Sequence, residues 1–317
     1  MKEGKNKLLK ESSVAPLFVI IGASMWGVDG IVLRPALYGL PVPLVVFIES
    51  TIVALLLSPY FIRKLSELKT LDYRDWITFF FVALMGGAIG TMAITKALFY
   101  VNFVNLSVVV LLQKLQPVFA ITLAAIFLKE RLAKKFFYWS ALAVIGAYFM
   151  TFGTELPDLS TGDKTTIAAL FALLAAFSFS SSTVLSKRAL QNVSFEMGTY
   201  LRFIFSSIIM LVIVLSLGEM KSISEVSSTQ VIIFLIIAFT TGGAAIFLYY
   251  YGLKRITASV AAICELAFPL TAVLLEYFLR GNILGPVQWV GVLMLLFGIL
   301  KVSGIKAPNK KMNSATS

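Results

Sequence analysis

The chain has 317 residues, of which 59% are apolar and only 14% are charged, whereas roughly 25% of the residues of an average soluble domain carry charge. Water is therefore not its main solvent. The formal net charge of +11 comes from short basic segments between apolar runs, which indicates membrane topology and not nucleic-acid binding. A single cysteine and no histidine exclude an internal disulfide, thiolate or histidine metal sites and Ser-His catalysis.

Apolar segments long enough to cross a hydrocarbon layer of ~30 Å recur ten times along the chain. They lie at about 15–37, 42–61, 76–99, 104–128, 136–153, 167–186, 197–217, 229–252, 257–279 and 285–304. Backbone amides find no partner in lipid, and the alternating pattern of barrel strands is absent, so each segment is predicted to be a helix. The predicted fold class is an all-α integral membrane protein.

Lysine and arginine orient these helices. Both termini and the second, fourth, sixth and eighth loops together hold 20 basic residues, whereas the intervening loops hold 3, namely Lys164, Lys221 and Arg280. Cytoplasmic loops carry an excess of lysine and arginine. We therefore expect a multi-pass protein of the cell membrane with both termini in the cytoplasm.

The two halves of the chain carry the same landmarks at a nearly constant offset. Pro117 and Pro269 are 152 residues apart, and Gly87 and Gly242 are 155 apart. A unit with five crossings would place its second copy upside down relative to the first. The prediction is two inverted five-helix units, at 1–153 and 165–305, joined by a linker at 154–164 and followed by a basic cytoplasmic tail at 306–317.

Only two prolines lie in the middle of apolar segments, and they are the equivalent residues Pro117 and Pro269. Each removes a backbone hydrogen bond and should kink its helix near the midplane. Transmembrane helices also tolerate proline without a functional reason. Paired broken helices, however, mark the substrate site in inverted-repeat transporters, so we predict a role in kinking and gating for this pair.

Ionisable side chains inside the bilayer cost at least ~2.5 kcal/mol at a helix centre and rarely face lipid. Lys114 and Glu265 stand beside the two prolines, with glutamines on the same helix face as Pro117. Structural ion pairs or snorkelling to the headgroups stay open as alternatives, above all for Asp29 and Lys96. The predicted substrate-binding residues are Trp26, Asp29, Lys96, Gln113, Lys114, Gln116, Tyr250 and Glu265.

Glu49 and Arg202 are equivalent residues, 153 positions apart, early in the second and seventh helices. An ion pair between them across the interface of the two units is conceivable, which makes both candidate structural or coupling charges. The charged residues as a whole are scattered over five or more helices without a compact catalytic motif, and no P-loop occurs. A membrane enzyme and an ATP-driven pump are therefore disfavoured.

Three short segments carry a family resemblance. They are Trp26-Gly27, Pro117 followed by Leu128-Lys129-Glu130-Arg131, and Gln288-Trp289-Val290-Gly291. At this spacing the chain resembles the EamA family of the drug/metabolite transporter superfamily over nearly its whole length. The resemblance implies a ten-helix bundle without a cofactor, whose central cavity is lined mainly by helices 1, 3, 4, 6, 8 and 9 and opens alternately to the two sides.

Two positions depart from the pattern of that family. Glu49 stands where the family often has arginine, which Arg202 keeps in the second unit, and Asn282 replaces an expected glutamate. Because Glu49 has the opposite charge to the arginine of that family, a charge role known from relatives does not transfer directly to this position.

These features predict a secondary transporter and not an enzyme. The predicted partners are the lipid bilayer and a small amphipathic solute, with an amino acid as the leading hypothesis. The mixed charges of Lys114 and Glu265 suit a zwitterion, and Trp26 would supply an apolar or cation-π wall. Glu265 is a candidate for carrying a coupling proton, with sodium as the other coupling ion; a homodimer stays open. The alternatives are a flippase for a lipid-linked headgroup and a non-transporting membrane component.

Overall fold

The computed structural model describes residues 2–100, 112–156, 163–281 and 283–305, and within these ranges every regular element is a helix. Nine of the helical stretches in these ranges are long and apolar enough to cross a membrane, and they coincide with nine of the ten predicted crossings. The chain is therefore an all-helical, multi-pass membrane protein. The nine spans are Val14–Leu37, Val42–Pro59, Tyr73–Ala97, Lys134–Phe152, Thr166–Ala189, Phe195–Leu217, Ser228–Arg255, Ala258–Leu279 and Pro286–Ser303.

The remaining predicted crossing, 104–128, includes residues 101–111, which lie outside the described residues. Its described part contains the helix Gln116–Phe127, which is apolar but shorter than a full crossing. Asn282 and the predicted tail at 306–317 also lie outside the described residues. The count of ten crossings and the unit boundaries stay predictions.

The helices are labelled in chain order, and short 3₁₀ helices at Leu65–Thr70 and Glu219–Glu225 lie in two of the connections. The labels are α1 Lys2–Val28, α2 Val42–Arg63, α3 Tyr73–Ala83, α4 Gly90–Tyr100, α5 Gln116–Phe127, α6 Lys134–Phe152, α7 Asp163–Ala189, α8 Phe195–Leu217, α9 Ser228–Ile237, α10 Gly243–Arg255, α11 Ala258–Cys264, α12 Ala267–Arg280 and α13 Pro286–Ser303.

Three crossings contain a short π-helical stretch. Asp29–Leu33 continues α1, Leu84–Ile89 joins α3 to α4, and Ala238–Gly242 joins α9 to α10. The last two stretches contain Gly87 and Gly242, the glycines that the repeat offset relates. The two halves therefore share this irregularity at related positions. Single π turns are rare in proteins and frequently occur at functional sites.

The helices that carry the midplane prolines are interrupted beside them. Residues 114–115 and 265–266 form turns, and the second residue of each turn bonds through its amide to the carbonyl three residues back, at 3.1 Å. Pro117 and Pro269 have no amide hydrogen, so the regular ladder cannot run through them. The interruption brings polar side chains and backbone to the middle of the bundle.

Helices that the repeat offset relates make equivalent packing contacts in the two halves of the chain. Helix α1 packs against α10 and α12, as α7 packs against α4 and α5, while α2 pairs with α8 and α6 with α13. Helices α6 and α13 approach each other closely, because a Cβ atom on Gly291 would lie 2.2 Å from the backbone nitrogen of Met150 and 2.8 Å from the carbonyl oxygen of Gly146. The largest buried cluster joins α1, α10, α11 and α13 through residues such as Val19, Tyr250, Ile263 and Leu295.

Candidate functional site

The carboxylate of Glu265 lies at the break between α11 and α12 and accepts three hydrogen bonds. The hydroxyl of Tyr249 donates to Oε1 at 2.5 Å and that of Thr183 donates to the same oxygen at 3.1 Å. The side-chain amide of Gln116 donates to Oε2 at 2.9 Å. These donors come from α10, α7 and α5, so both halves of the chain contribute to one polar centre inside the bundle.

Backbone contacts hold the first turn of α5 in this centre. The hydroxyl oxygen of Ser180 on α7 lies 2.7 Å from the carbonyl oxygen of Gln116 and 2.7 Å from that of Ala176 on its own helix. Gln116 is the first residue of α5, directly after the break and before the buried Pro117. The helix break before Pro117 therefore positions the Gln116 side-chain amide to contact the Glu265 carboxylate, while the Ser180 hydroxyl contacts the Gln116 backbone carbonyl.

Tyr250 and Arg202 form a second polar group, next to the Tyr249 ring. Tyr250 is completely buried; its hydroxyl lies 2.8 Å from that of Ser186 and accepts a hydrogen bond from Arg202 at 3.3 Å. The guanidinium of Arg202 also lies 5.8 Å from the centroid of the Tyr250 ring and donates to Ser182 at 3.4 Å. Tyr250 thus braces α7 against α8, and its neighbour Tyr249 is the tyrosine that contacts Glu265.

An aromatic pair lies beside the carboxylate. The rings of Trp26 on α1 and Tyr249 have centroids 5.2 Å apart and are inclined by 50°. Trp26 is half-buried and packs against the main buried cluster. Helix α1 can approach this closely because Gly22 and Gly27 face α10 and α12: a Cβ atom on Gly22 would lie 2.8 Å from the carbonyl oxygen of Ala245.

Gln113 and Lys114 lie at the interruption ahead of α5, one turn from Gln116, and both are half-buried. Neither side chain makes a hydrogen bond or an ion pair with any residue that the structure describes. Lys96 is exposed, and its ammonium lies 5.8 Å from the centroid of the Phe171 ring. Two of the predicted substrate-binding residues therefore have polar groups without a partner in the described part of the chain, at the break that also positions Gln116.

Asp29 belongs to a different cluster, at the π-helical end of α1. Arg34 donates from Nε to Asp29 Oδ2 at 2.6 Å and reaches the carboxylate of Glu49 on α2 at 3.4 Å. Thr241, in the π-helical stretch before α10, donates to Asp29 Oδ1 at 3.2 Å. Asp29 is thus held in an ion pair with Arg34, and its role in substrate binding stays a prediction.

The conceivable pair of Glu49 with Arg202 is not among the contacts of the described residues. Glu49 is paired with Arg34, whereas Arg202 bonds to Tyr250 and Ser182. The sequence relates Glu49 and Arg202 by their position in the repeat, but repeat equivalence fixes depth in a helix and not which side chains meet.

Sequence reasoning missed Thr183 and Tyr249, which contribute two of the three donors to Glu265. A signal for Thr183 was present: residues 178–183 contain five hydroxyl side chains inside an otherwise apolar crossing. Nothing local distinguishes Tyr249 from the two tyrosines that follow it, because which tyrosine faces the centre depends on the rotation of α10.

The family model of EamA-like transporters matches the chain twice, at residues 13–152 and 166–304. The chain belongs to the EamA-like transporter family. EamA proteins are part of the drug/metabolite transporter superfamily, so the resemblance seen in the sequence is confirmed. The two matches cover most of both halves of the chain and leave out the region between them.

Other comparisons place this EamA protein among transporters. It is 46% identical over 288 residues, 90% of this chain and 96% of the relative, to a protein of Fusobacterium nucleatum named riboflavin transporter ImpX. It is 30% identical over 196 residues, 62% of each chain, to the uncharacterized transporter YwfM of Bacillus subtilis. A solved crystal structure shares the fold with a TM-score of 0.71 over 91% of this chain and 96% of that chain, at 16% identity.

Proposed function

We propose that this EamA protein is a secondary transporter that carries riboflavin across the cell membrane by alternating access. The observation that carries the proposal is the 46% identity, over 90% of this chain, to the Fusobacterium protein named a riboflavin transporter. Identity at that level over nearly the whole of both chains supports a shared substrate class.

The chemistry beside Glu265 supports a flat ligand with a polar edge. Riboflavin has a planar isoalloxazine ring, whose imide edge presents acceptors on both sides of a donor, and a neutral ribityl chain. An indole face can stack on such a ring, and amide side chains can pair with the imide. Trp26 offers a half-buried indole, while the Gln113 amide and the carbonyl oxygen of the Gln116 side chain have no hydrogen-bond partner among the described residues.

The arrangement offers less support for the amino acid that the sequence suggested. A zwitterion would need Glu265 to receive its ammonium group, but that carboxylate already accepts bonds from three donors. Replacing these bonds would require the centre to rearrange on binding. A neutral heterocycle can instead bind next to an intact Glu265 centre.

We propose the ten-crossing, inverted-repeat architecture with cytoplasmic termini as the framework for this transport. Three observations support this framework. The family model matches the chain twice over similar lengths, equivalent helices in the two halves make equivalent packing contacts, and π-helical stretches occur at related positions. In such transporters the site lies where the halves meet and is exposed to each side in turn. The Glu265 centre has donors from both halves, which suits that position.

Substrate identity is tested by uptake in a riboflavin-auxotrophic bacterial strain without its own importer. We expect expression of this chain to restore growth at low external riboflavin and to produce saturable uptake of labelled riboflavin. Unlabelled riboflavin should compete, whereas an amino-acid mixture and a lipid-linked sugar should not. Absence of riboflavin uptake, with thermal stabilisation of the purified protein by amino acids, would refute the proposal.

The assignment of the site is tested by paired variants. Trp26→Ala should raise the KM for riboflavin about tenfold, equivalent to ~1.4 kcal/mol, because it removes the stacking face. Trp76→Phe is the control: Trp76 lies at the start of the third crossing and packs against Phe205 instead. An equal KM in both variants would remove Trp26 from the site.

The coupling role of Glu265 requires proteoliposomes with an imposed pH gradient. Glu265→Gln keeps the size of the side chain but cannot release a proton, so we expect it to abolish gradient-driven accumulation while exchange at equal pH persists. Glu155→Gln, at an exposed carboxylate after α6, should leave both rates unchanged. If Glu265→Gln accumulates solute normally, coupling does not run through this residue, and an imposed sodium gradient becomes the next test.

A further inference from the structure

A basic and aromatic groove lies where α6 begins and α13 ends. It has a volume of about 510 Å³ and is lined by Lys134, Lys135, Tyr138, Trp139 and Lys301. Helices α6 and α13 are packed closely through Gly146 and Gly291, so the two walls of the groove keep a fixed spacing. None of the residues that line the groove belongs to the Glu265 centre, and the groove is independent of the proposed transport function.

The three ammonium groups of the groove have no acidic partner among the residues that the structure describes. Other lysines do have partners: Lys64 pairs with Glu196 at 3.4 Å, and Lys187 donates to two backbone carbonyls at the end of α10. Positive-inside topology accounts for the presence of lysines in this region but does not require three lysines without a described acidic partner to line one groove. The groove therefore carries a local charge that an anionic ligand would neutralise.

Aromatic rings lie beside the groove lysines, and one of them, Phe297, is outside the groove lining on an exposed face of α13. The ammonium of Lys301 lies 5.0 Å from the centroid of the Phe297 ring and 5.8 Å from that of Trp139, and these two rings meet edge to face at 5.5 Å. Phe297, Leu293 and Leu300 on α13 are exposed in the isolated chain. The surface thus has the cationic side chains of the groove next to an exposed apolar stripe on α13.

From this charge complementarity and the adjoining apolar stripe, we propose that the groove binds the headgroup of one anionic phospholipid, with its acyl chains along α13. Basic pockets between transmembrane helices are suited to anionic headgroups, and tryptophan and tyrosine favour the same interfacial depth. A zwitterionic lipid brings no net charge to offset the three lysines, so it binds weakly. The bound lipid acts as a stabilising ligand of the α6–α13 pair.

The test is native mass spectrometry and thermal unfolding of the purified full chain in a neutral detergent, titrated with phosphatidylglycerol or with phosphatidylcholine of the same acyl chains. The wild type is expected to retain one phosphatidylglycerol molecule and to unfold at a higher temperature with it. Each lysine near an anionic headgroup contributes about fivefold in affinity, so the triple variant Lys134→Gln, Lys135→Gln, Lys301→Gln should bind roughly 100-fold more weakly.

Two matched variants separate the groove from general surface charge. The triple variant Arg63→Gln, Lys69→Gln, Arg188→Gln removes three exposed cations elsewhere and should bind phosphatidylglycerol like the wild type. The triple replacement of the groove lysines by arginine keeps the charge and should retain binding, and the glutamine variant should unfold in lipid-free detergent at the wild-type temperature, which shows that its loss of binding is not misfolding.

Four outcomes would overturn the proposal. They are equal loss of phosphatidylglycerol in the groove and control variants, retention of phosphatidylcholine as tightly as phosphatidylglycerol, complete competition by inorganic phosphate at equal concentration, or a dimer that the groove variant alone disrupts. The last two would assign the groove to free phosphate or to a second copy of the chain.

Discussion

The clearest test of how the chain is held together is removal of the Glu130 carboxylate. Glu130 follows α5, and its Oε1 accepts from the backbone amide of Ala258 at 2.7 Å while Oε2 accepts from the amide of Ser259 at 3.1 Å and from the Ser259 hydroxyl at 2.6 Å. Thr257 accepts from the amide of Val260 at 3.2 Å. Glu130 and Thr257 together therefore satisfy three of the four amides that the start of α11 leaves open.

The size of the effect follows from these contacts. A hydrogen bond to a charged group contributes about 1.5–3 kcal/mol, and a carboxylate at a helix N-terminus gains a further 0.3–1 kcal/mol. Water at the end of the bundle can replace part of this, so we expect Glu130→Ala to cost about 2–4 kcal/mol. Glu130→Gln keeps one acceptor oxygen but loses the charge, and it should cost roughly half as much.

The assay is thermal unfolding of purified variants in detergent. At roughly 2 °C of Tm per kcal/mol for a chain of this size, Glu130→Ala should lower Tm by about 4–8 °C and Glu130→Gln by about half of that. Glu155→Ala, the same change at an exposed carboxylate, should leave Tm within about 1 °C. If Glu130→Ala unfolds at the wild-type temperature, the hydrogen bonds of Glu130 to the start of α11 contribute nothing to the unfolding free energy, which contradicts the prediction.

Three further predictions concern stability. Arg34→Leu leaves two carboxylates without their cation and should cost about 3–5 kcal/mol in the unfolding free energy, measured by thermal or denaturant unfolding. Partial burial alone would raise the pKa of Glu67, but the Ser194 amide, which donates to this carboxylate at 2.8 Å, and a nearby lysine outweigh burial and lower the pKa below its usual value of 4.5. The ionised Glu67 therefore stabilises the fold fully above about pH 4.5, and this stabilisation is lost as the pH falls through the lowered pKa. Glu67→Gln should accordingly lower Tm at pH 7 and make little difference in strong acid. Gly291→Ala should cost about 1–3 kcal/mol in the same unfolding assay, because the added Cβ would lie 2.2 Å from the backbone nitrogen of Met150 and α6 would have to move away.

Each of these has a matched control. Arg34→Lys keeps the cation and should recover part of the loss, and a Tm equal to that of Arg34→Leu would argue against a charge effect. Gly39→Ala places a methyl group where no atom lies within 4 Å, so it should be neutral; if it destabilises as much as Gly291→Ala, close packing is not the reason. For Glu67, a Tm difference from wild type that stays the same from pH 7 to pH 3 would contradict the linkage.

Much of the candidate site could be inferred from polarity in an apolar chain. Glu265, Gln116 and Trp26 stood out because each is costly or unusual at its depth in a membrane helix, and the structure brings them to one region with Tyr249 between the carboxylate and the indole. The partner of Asp29 was less accessible. Arg34 lies only five residues away, but it reaches Asp29 because the intervening stretch is π-helical, which the sequence did not indicate.

The sequence by itself determined the membrane environment, nine of the described crossings and the family, because hydropathy and segment length depend on composition along one dimension. Only the tertiary structure decided which side chains meet: Tyr249 and not Tyr250 at Glu265, Arg34 and not Arg202 at Glu49, and Glu130 at the start of α11. The physical reason is that lipid fixes how deep a residue lies, whereas its neighbours depend on helix rotation, π-helical insertions and close glycine contacts between helices that are distant in the chain.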